Sequence, residues 1–318
     1  MDKEKPFFSV VIPLYNKQSY VKETIESALA QTFEDFEIVV VNDGSTDESA
    51  EVVSAIKDDR IRLIHQDNAG VSVARNRGIK EANAKYVAFL DADDLWLPGF
   101  LQTIYKLIQK CPDAGLYATS YMKEDSQGNS KPINIQGLPS KDYIGIIPNY
   151  FMSVVQGDNL VWTSATCIPK AIFVGNDIWF PAGEKYGEDR YVWARVALQF
   201  EVAYNTKACA IYRTQAENNT YAAISQLREP RLFLLNLRNF HAEKNNPIRK
   251  FWFNKYIQSH LVTVIKRNIN NGLKMYALKQ LLNSRLTLLD NIILITRLIT
   301  PKNLTDLIRS LSARWLQR

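Results

Sequence analysis

Short, nearly unbroken apolar runs alternate with amphipathic stretches through the first two-thirds of the chain. Tyr86–Leu90 has the make-up of a strand buried on both faces of a sheet, Phe7–Leu14 reads as a buried first strand, and Phe36–Val41 and Ile61–His65 as a second and a short third. Between them Val21, Ile25 and Leu29 share one face of a helix spanning Tyr20–Gln31, with Ser19 as its cap. A second helix starts at a Thr46 or Asp47 cap and runs to about Ile56; a third, Val71–Glu81, follows the turn Gln66–Gly70. Every strand ends in a polar loop. This alternation predicts an α/β fold: a Rossmann-like αβα sandwich around a mostly parallel sheet.

Downstream, a helix begins near Leu97-Pro98 and continues through Phe100–Lys110, and Gly115–Tyr121 reads as a strand. Turn residues at Asp125–Ser130 imply a β-excursion. Regularity falls between Lys131 and Asp158, where the expectation is a mobile loop over the site. Trp162–Ile168 suits a strand carrying acceptor-side residues. The loop Pro181–Gly187 delivers Glu188 and Asp189 to a helix start, and Val202–Tyr204 and Ala208–Tyr212 read as two closing strands. Beyond Ala222 the pattern is helical, over Leu227–Phe240, Phe251–Asn268, Leu273–Leu282 and Asn303–Leu316. The division expected is a catalytic domain over 1–222, with halves of about 7–121 and 122–222, and a helical region over 223–318.

The chemistry concentrates where Tyr86–Leu90 stops, at Asp91, Asp93 and Asp94. Three like charges at the end of a buried strand repel one another, and a divalent cation neutralises them; Mg²⁺ commonly takes one or two carboxylates plus phosphate oxygens. Carboxyl ends of strands are also where open α/β sheets hold ligands. The plain alternative is an acidic turn capping the next helix.

Five stretches change that balance: Ser9–Asn16, Val41–Asp47, Gly70–Asn76, Leu90–Asp94 and Gly187–Arg190. Their order and intervals resemble those of the family 2 glycosyltransferases, over roughly residues 7–215. The resemblance implies the GT-A fold and transfer of a sugar from a nucleotide diphosphate to an acceptor hydroxyl, usually with inversion and with Mg²⁺ or Mn²⁺. It assigns Asp91 to donor ribose or phosphate contacts and Asp93 to the metal. Asp189 matches the family's second acidic position and becomes the base that deprotonates the acceptor, its pKa raised by burial or by Glu188. Glu188 orients the acceptor.

The donor pocket would be lined by Pro13 and by Tyr15, whose ring offers stacking. Asp43 would accept the imide N–H of a base, with a turn or cap role as its alternative. Asn68 and Gly70 form a tight turn where backbone approaches the nucleotide. Arg75 offers a guanidinium to a phosphate or to an acidic site residue. One departure stands out: Tyr212-Arg213-Thr214-Gln215 has Gln215 where family members often carry His. That removes a protein-derived third metal ligand and leaves Arg213 as a phosphate contact. His65, His241 and His260 carry no catalytic pattern.

Charge divides the chain. Residues 226–318 hold 17 Lys/Arg against 4 Asp/Glu, whereas residues 1–225 hold 22 against 29. Basic stretches with aromatic or aliphatic residues, such as Phe251–Tyr256 and Leu307–Arg318, suit peripheral contact with an anionic membrane. Packing on the catalytic body or formation of a homodimer are the alternatives, and no motif supports nucleic-acid binding. Cys111, Cys167 and Cys209 show no disulfide or zinc spacing, and no run has the length of a signal peptide or membrane span. A cytoplasmic location, at the inner face of the membrane if the tail binds lipid, is the resulting expectation.

The function expected is an inverting, metal-dependent transferase using a UDP-sugar, with a saccharide or lipid-linked saccharide as acceptor, in cell-surface polysaccharide synthesis. A nucleotidyltransferase would need a Gly/Lys/Arg-rich phosphate loop that Leu14–Gln18 does not supply. A non-catalytic sugar-nucleotide-binding or membrane scaffold would have no use for both Asp93 and Asp189.

Overall fold

The computed structural model describes residues 5–184, 187–214, 237, 246–283 and 294–295. Strand β1 (Phe8–Leu14) sends successive side chains to opposite faces of the sheet. Val10, Ile12 and Leu14 enter one apolar cluster and Val11 the other. That two-sided burial is why the run contains so few polar residues. Strands β2 (Phe36–Asp43), β3 (Ile61–Gln66) and β4 (Tyr86–Phe89) join it in parallel in the order β3-β2-β1-β4.

Helices α1 (Val21–Leu29) and α2 (Ser49–Ala55) cover one face through Val21, Ile25, Ala28 and Val53. Helix α3 (Val71–Glu81) covers the other. A Cβ on Gly78 would lie 2.3 Å from Val11 Cγ1, so α3 sits against β1 at a separation only glycine allows. Arg75, one turn earlier on α3, is thereby held close to the ends of the central strands.

The second half of the sheet is mixed. Its strands are β5 (Leu95–Trp96), β6 (Leu116–Glu124), β7 (Ser130–Pro132), β8 (Ile144–Ile146), β9 (Thr166–Pro169) and β10 (Val202–Arg213). The order continues β4-β9-β6-β10-β5, with β7 on β6 and β8 on β10. Strand β9 runs antiparallel to both β4 and β6, while β6 and β10 are parallel. Helices α4 (Phe100–Lys110), α5 (Tyr150–Gln156), α6 (Lys170–Gly175) and α7 (Glu188–Gln199) complete the sandwich.

Several local expectations are corrected. Helix α1 starts at Val21 with no side-chain cap from Ser19, because Tyr20 N and Val21 N both donate to Lys17 O. The helix expected from Leu97 begins at Phe100, since Leu95–Trp96 pairs with β10 instead. The region 131–158 is not simply a loop: it contributes β8 and α5, and Phe151 of α5 lies in the core. Trp162–Ile168 is split into a 3₁₀ turn (Thr163–Ala165) and β9. The two closing strands are one, β10, interrupted by register shifts between Asn205 and Ala210.

After the α/β body come helices α8 (Pro247–Asn270) and α9 (Lys274–Asn283). Phe253, Tyr256, Ile257, Leu261 and Ile265 of α8 belong to the same apolar cluster as α5 and α7. The Phe151 ring packs at 5.1 Å from Phe253 and 5.4 Å from Tyr256. No helix among the described residues is long and apolar enough to cross a membrane. Of the other two expected tail helices only Leu237 is described, buried in that cluster, and the expected boundary at 222 lies outside the described residues.

Candidate active site

The acidic loop between β4 and β5 is pinned by its third carboxylate. Asp94 is 1% exposed, and its Oδ2 accepts from Trp162 Nε1 at 2.7 Å and from Ser164 Oγ at 2.6 Å. Its Oδ1 accepts from Arg213 N at 3.2 Å, a contact set up by the pairing of β5 with β10. Burial pushes the Asp94 carboxyl up, and Asp93 and Asp91 push it further against Ser164 and Trp162. The role is structural: Asp94 fixes the loop that presents the other two acids. The indole of Trp162 is itself held, its ring 3.9 Å from Tyr212 and 5.7 Å from Tyr121.

Arg75 then joins the two acidic motifs. Its Nη2 donates to Asp91 Oδ1 at 2.6 Å and its Nη1 to Glu188 Oε1 at 2.7 Å. The guanidinium is 4% exposed and stacks at 5.3 Å over Phe180. Although burial works against it, Asp91 and Glu188 hold its proton above the ordinary arginine range. Of the two partners left open by the sequence, phosphate or site acid, the structure gives the acids. Glu188, 8% exposed, has its carboxyl pushed up to about 7 by burial and by Asp189, against the pull of Arg75.

Asp189 stands beside it in the first turn of α7, where negative charge meets the helix dipole favourably. Its Oδ1 accepts from Arg190 N at 2.7 Å and its Oδ2 from Thr163 Oγ1 at 3.4 Å. Thr163 precedes Ser164, whose Oγ accepts from Asp91 N at 3.0 Å while donating to Asp94. The turn Thr163–Ala165 therefore ties the acids after β4 to the acid at the start of α7.

A second cluster forms at the ends of β1 and β2. Asp43 Oδ1 accepts from Gln66 Nε2 at 2.7 Å and Ala69 N at 2.9 Å, and its Oδ2 from Gly70 N at 2.8 Å. Asp43 thus builds the turn carrying Asn68 and Gly70, whose φ of +91° suits glycine. Pro13 pairs with Val41 in the sheet, and Tyr15 is 44% exposed just beyond. Lys17 bridges the two clusters: its backbone N donates to Ser49 Oγ at 2.7 Å, and its Nζ lies 2.7 Å from Asp93 Oδ2.

One expectation changes. The Arg213 guanidinium pairs with Glu23 and Glu124 and stacks over Tyr20, so its contribution to the acidic loop is its backbone N–H rather than a free cation. Gln215 lies outside the described residues. His65 faces Asn42 at 3.2 Å, a structural contact. Sequence reasoning missed Lys17, Trp162, Thr163 and Ser164. A lone lysine in the first loop was the one available signal; the other three carry none before the chain folds.

The acids also meet a chemical test for metal. Among the described residues no group of three His, Cys, Asp or Glu is arranged to hold an ion. Asp91 is engaged by the buried Arg75 and Asp94 by three donors, whereas the Asp93 carboxylate pairs with the flexible ammonium of Lys17, which makes Asp93 the candidate ligand. Burial pushes its carboxyl up, with Lys17 opposing and Asp91 reinforcing the push. One carboxylate completed by phosphate and water oxygens is a donor set that Mg²⁺ or Mn²⁺ accepts.

Comparison with known proteins agrees with this architecture. Residues 9–167 match the family described as Glycosyl transferase family 2. An uncharacterized glycosyltransferase of Rickettsia bellii is 32% identical over 220 residues, covering 67% of this chain and 29% of that protein. One from Rickettsia prowazekii, RP339, is 30% identical over 229 residues, covering 70% of this chain and 69% of that protein. The chain belongs to glycosyl transferase family 2.

Among solved structures, Staphylococcus aureus TarS 1-349 superposes with a TM-score of 0.67 at 20% identity, over 91% of this chain and 80% of that one. TarS has also been solved with UDP-GlcNAc. The mannosyltransferase PcManGT of Pyrobaculum calidifontis, in complex with GDP-Man and Mn²⁺, superposes with a TM-score of 0.60 at 15% identity over 92% and 80%. These likenesses establish the GT-A fold. The chain spans only about a third of the length of the Rickettsia bellii and Rickettsia felis relatives, at 29% and 34%.

Proposed function

We propose that the chain is an inverting glycosyltransferase that moves a sugar from a nucleotide diphosphate, most simply a UDP-sugar, to an acceptor hydroxyl with the help of Mn²⁺ or Mg²⁺. The observation that carries this reading is the Arg75 bridge, which holds Asp91 of the β4 loop and Glu188 of the α7 start on one guanidinium. It supports reading the acid after β4 and the acid at the start of α7 as parts of one site.

In this reading the loops of Pro13, Tyr15, Asp43, Asn68 and Gly70 receive the nucleoside. Asp43 acts by shaping the turn, since three protein donors already engage it. Asp91 is held by Arg75 where it faces the ribose or phosphates, and Asp93 would hold the cation. When bound, the cation neutralises charge on the departing nucleoside diphosphate. Asp189 takes the proton from the acceptor hydroxyl. The acceptor oxygen then bonds to the anomeric carbon as the bond to the diphosphate oxygen breaks, with its electron pair leaving on the nucleotide. Thr163 keeps the Asp189 carboxylate oriented for that transfer. Glu188, engaged by Arg75, orients the acceptor and leaves the proton to Asp189.

The TarS and PcManGT complexes with UDP-GlcNAc and with GDP-Man and Mn²⁺ support a nucleotide-sugar donor and a divalent ion. A saccharide or lipid-linked saccharide acceptor in cell-surface polysaccharide synthesis suits the family. The basic residues beyond 226 suit peripheral contact with anionic lipid in the cytoplasm, although α8 uses its apolar face against the catalytic body.

A panel of nucleotide sugars with Mn²⁺, read by thermal shift, tests the donor. A true ligand at a hundredfold over its Kd adds ~2.7 kcal/mol and stands apart from the others. Asp189→Asn is expected to keep that shift while transfer falls about 10³-fold. Normal transfer by this variant would remove Asp189 from its role.

A further inference from the structure

The first loop supplies a cation to the very oxygen that the metal would need. Lys17 is fixed from both sides by its own backbone: its N donates to Ser49 Oγ at 2.7 Å, and its O accepts from Tyr20 N and Val21 N, each at 2.9 Å. The neighbouring Asn16 takes a left-handed φ of +49°. It is held there because Thr46 N donates to its Oδ1 at 2.8 Å and its own N donates to Ser45 Oγ at 3.1 Å. From this anchored backbone the Lys17 side chain reaches Asp93 Oδ2 at 2.7 Å, with the two side chains 14% and 21% exposed. The contact is a partly buried ion pair on a rigid base, not a lysine passing over a surface acid.

Its position has a consequence for loading. Asp91 is held by the buried Arg75 guanidinium and Asp94 by three donors, whereas Asp93 is held by a single flexible ammonium, so Lys17 sits on the carboxylate most readily released to a divalent ion. An ammonium and a divalent ion cannot both rest on Asp93 Oδ2 without strong repulsion at short range. A diphosphate changes the balance in two ways. It brings phosphate oxygens that complete the ion's shell, and it offers the ammonium a second anion within the reach of a flexible four-carbon stem.

We propose that Lys17 is a built-in counter-cation for Asp93, which yields that carboxylate to the divalent ion as the diphosphate arrives and then pairs with the diphosphate. The inference rests on the metal-and-donor reading given above and adds an order to it: the ion loads with the nucleotide and not ahead of it. Nucleotide and ion then tighten each other's binding by the same factor, as any coupled pair of sites must. Lys17 is a positioning residue, acting through Asp93 and the diphosphate; it forms no bond to the transferred sugar.

The test is Mn²⁺ binding to the full chain, followed by the electron paramagnetic resonance of the free ion, alone and with UDP or GDP. In the natural protein Mn²⁺ alone binds weakly, and the nucleotide it accepts tightens Mn²⁺ about tenfold or more. Lys17→Met is expected to tighten Mn²⁺ alone about tenfold and to shrink the gain from nucleotide. Lys17→Arg, which keeps the charge, is expected to behave like the natural chain. Lys17→Gln repeats the measurement should the methionine variant not fold. Unchanged Mn²⁺ affinity in a folded, uncharged variant would overturn the role of Lys17 while leaving the metal-dependent reading intact. Failure of the natural chain to bind Mn²⁺ with either nucleotide would overturn that reading, and the Lys17 role with it.

Discussion

Glu188 keeps its proton to about 7 against an ordinary value of 4.5, because burial and Asp189 disfavour the charged form more than Arg75 favours it. The folded chain therefore binds more protons at this group than the unfolded chain does between those two values. Wherever the folded state binds more protons, stability falls as pH rises, so the loss from this group accumulates from about 4.5 to about 7 and is complete above. Glu188→Gln removes the titrating group and is expected to flatten that part of the pH–stability curve. Urea midpoints of both proteins at about pH 5 and about pH 8 check it, and parallel curves would refute the assignment. The same substitution keeps a side chain able to accept from Arg75, so Asp91 stays in place. Arg75→Lys is more damaging than its conserved charge suggests. A single ammonium cannot span Asp91 and Glu188 with the geometry of two guanidinium N–H groups. Loss of donor stabilisation together with transfer, measured by thermal shift and by product formation, is the expected result.

The β4–β5 loop owes its shape to contacts made with elements far along the chain. Asp94 accepts from Trp162, Ser164 and Arg213, so its removal leaves three donors without their acceptor inside the fold. Asp94→Ala is expected to cost about 3 kcal/mol, measured as a shift in the unfolding midpoint. It should also weaken nucleotide binding, because the loop presenting Asp91 and Asp93 is freed. A stability loss with unaltered nucleotide affinity would separate the loop's fold from its function. The start of α7 has a similar dependence: Asp189 is aimed by Thr163 from a turn that precedes β9. Thr163→Val keeps the shape but loses a buried hydroxyl, and is expected to cost about 1 kcal/mol of stability while lowering transfer by more than that loss explains.

Among the described residues, helices α8 and α9 share one core with the α/β body. Phe253 is 4% exposed among Phe151 and the other members of the cluster that runs through α5 and α7. Phe253→Ala is expected to cost about 3 kcal/mol through lost burial and the cavity left behind. Because α8 and the catalytic body bury one continuous cluster, circular dichroism and tryptophan fluorescence should report a single transition that moves as one. Separate transitions would mean that α8 folds independently. Arg249, which reaches Glu201 at 2.8 Å, adds a polar tie between the same units, but an exposed pair of this kind contributes little.

The alternation of apolar strand and amphipathic helix was enough to specify the first half of the sheet. Strands buried on both faces leave little choice of side chain, and local patterning and sheet position agree over β1, β2 and β4, with β3 at the sheet edge only partly buried. The acids could be read as well: Asp91, Asp93, Glu188 and Asp189 fall where strands and helices begin or end, and their spacing is local. The second half was harder because its pairing is not sequential. Strand β9 enters between β4 and β6 from far downstream, α5 is too short for a strong period, and β10 bends through register shifts that look like two strands. Tertiary structure alone decided what each site residue touches. Arg75 meets Glu188 across 113 positions of chain, Lys17 crosses from the first loop to Asp93, and Arg213 is claimed by Glu23 and Glu124. Charge and hydrogen-bonding capacity are written into each residue, but their partners are set by distances that exist only after the sheet has brought its strand ends together.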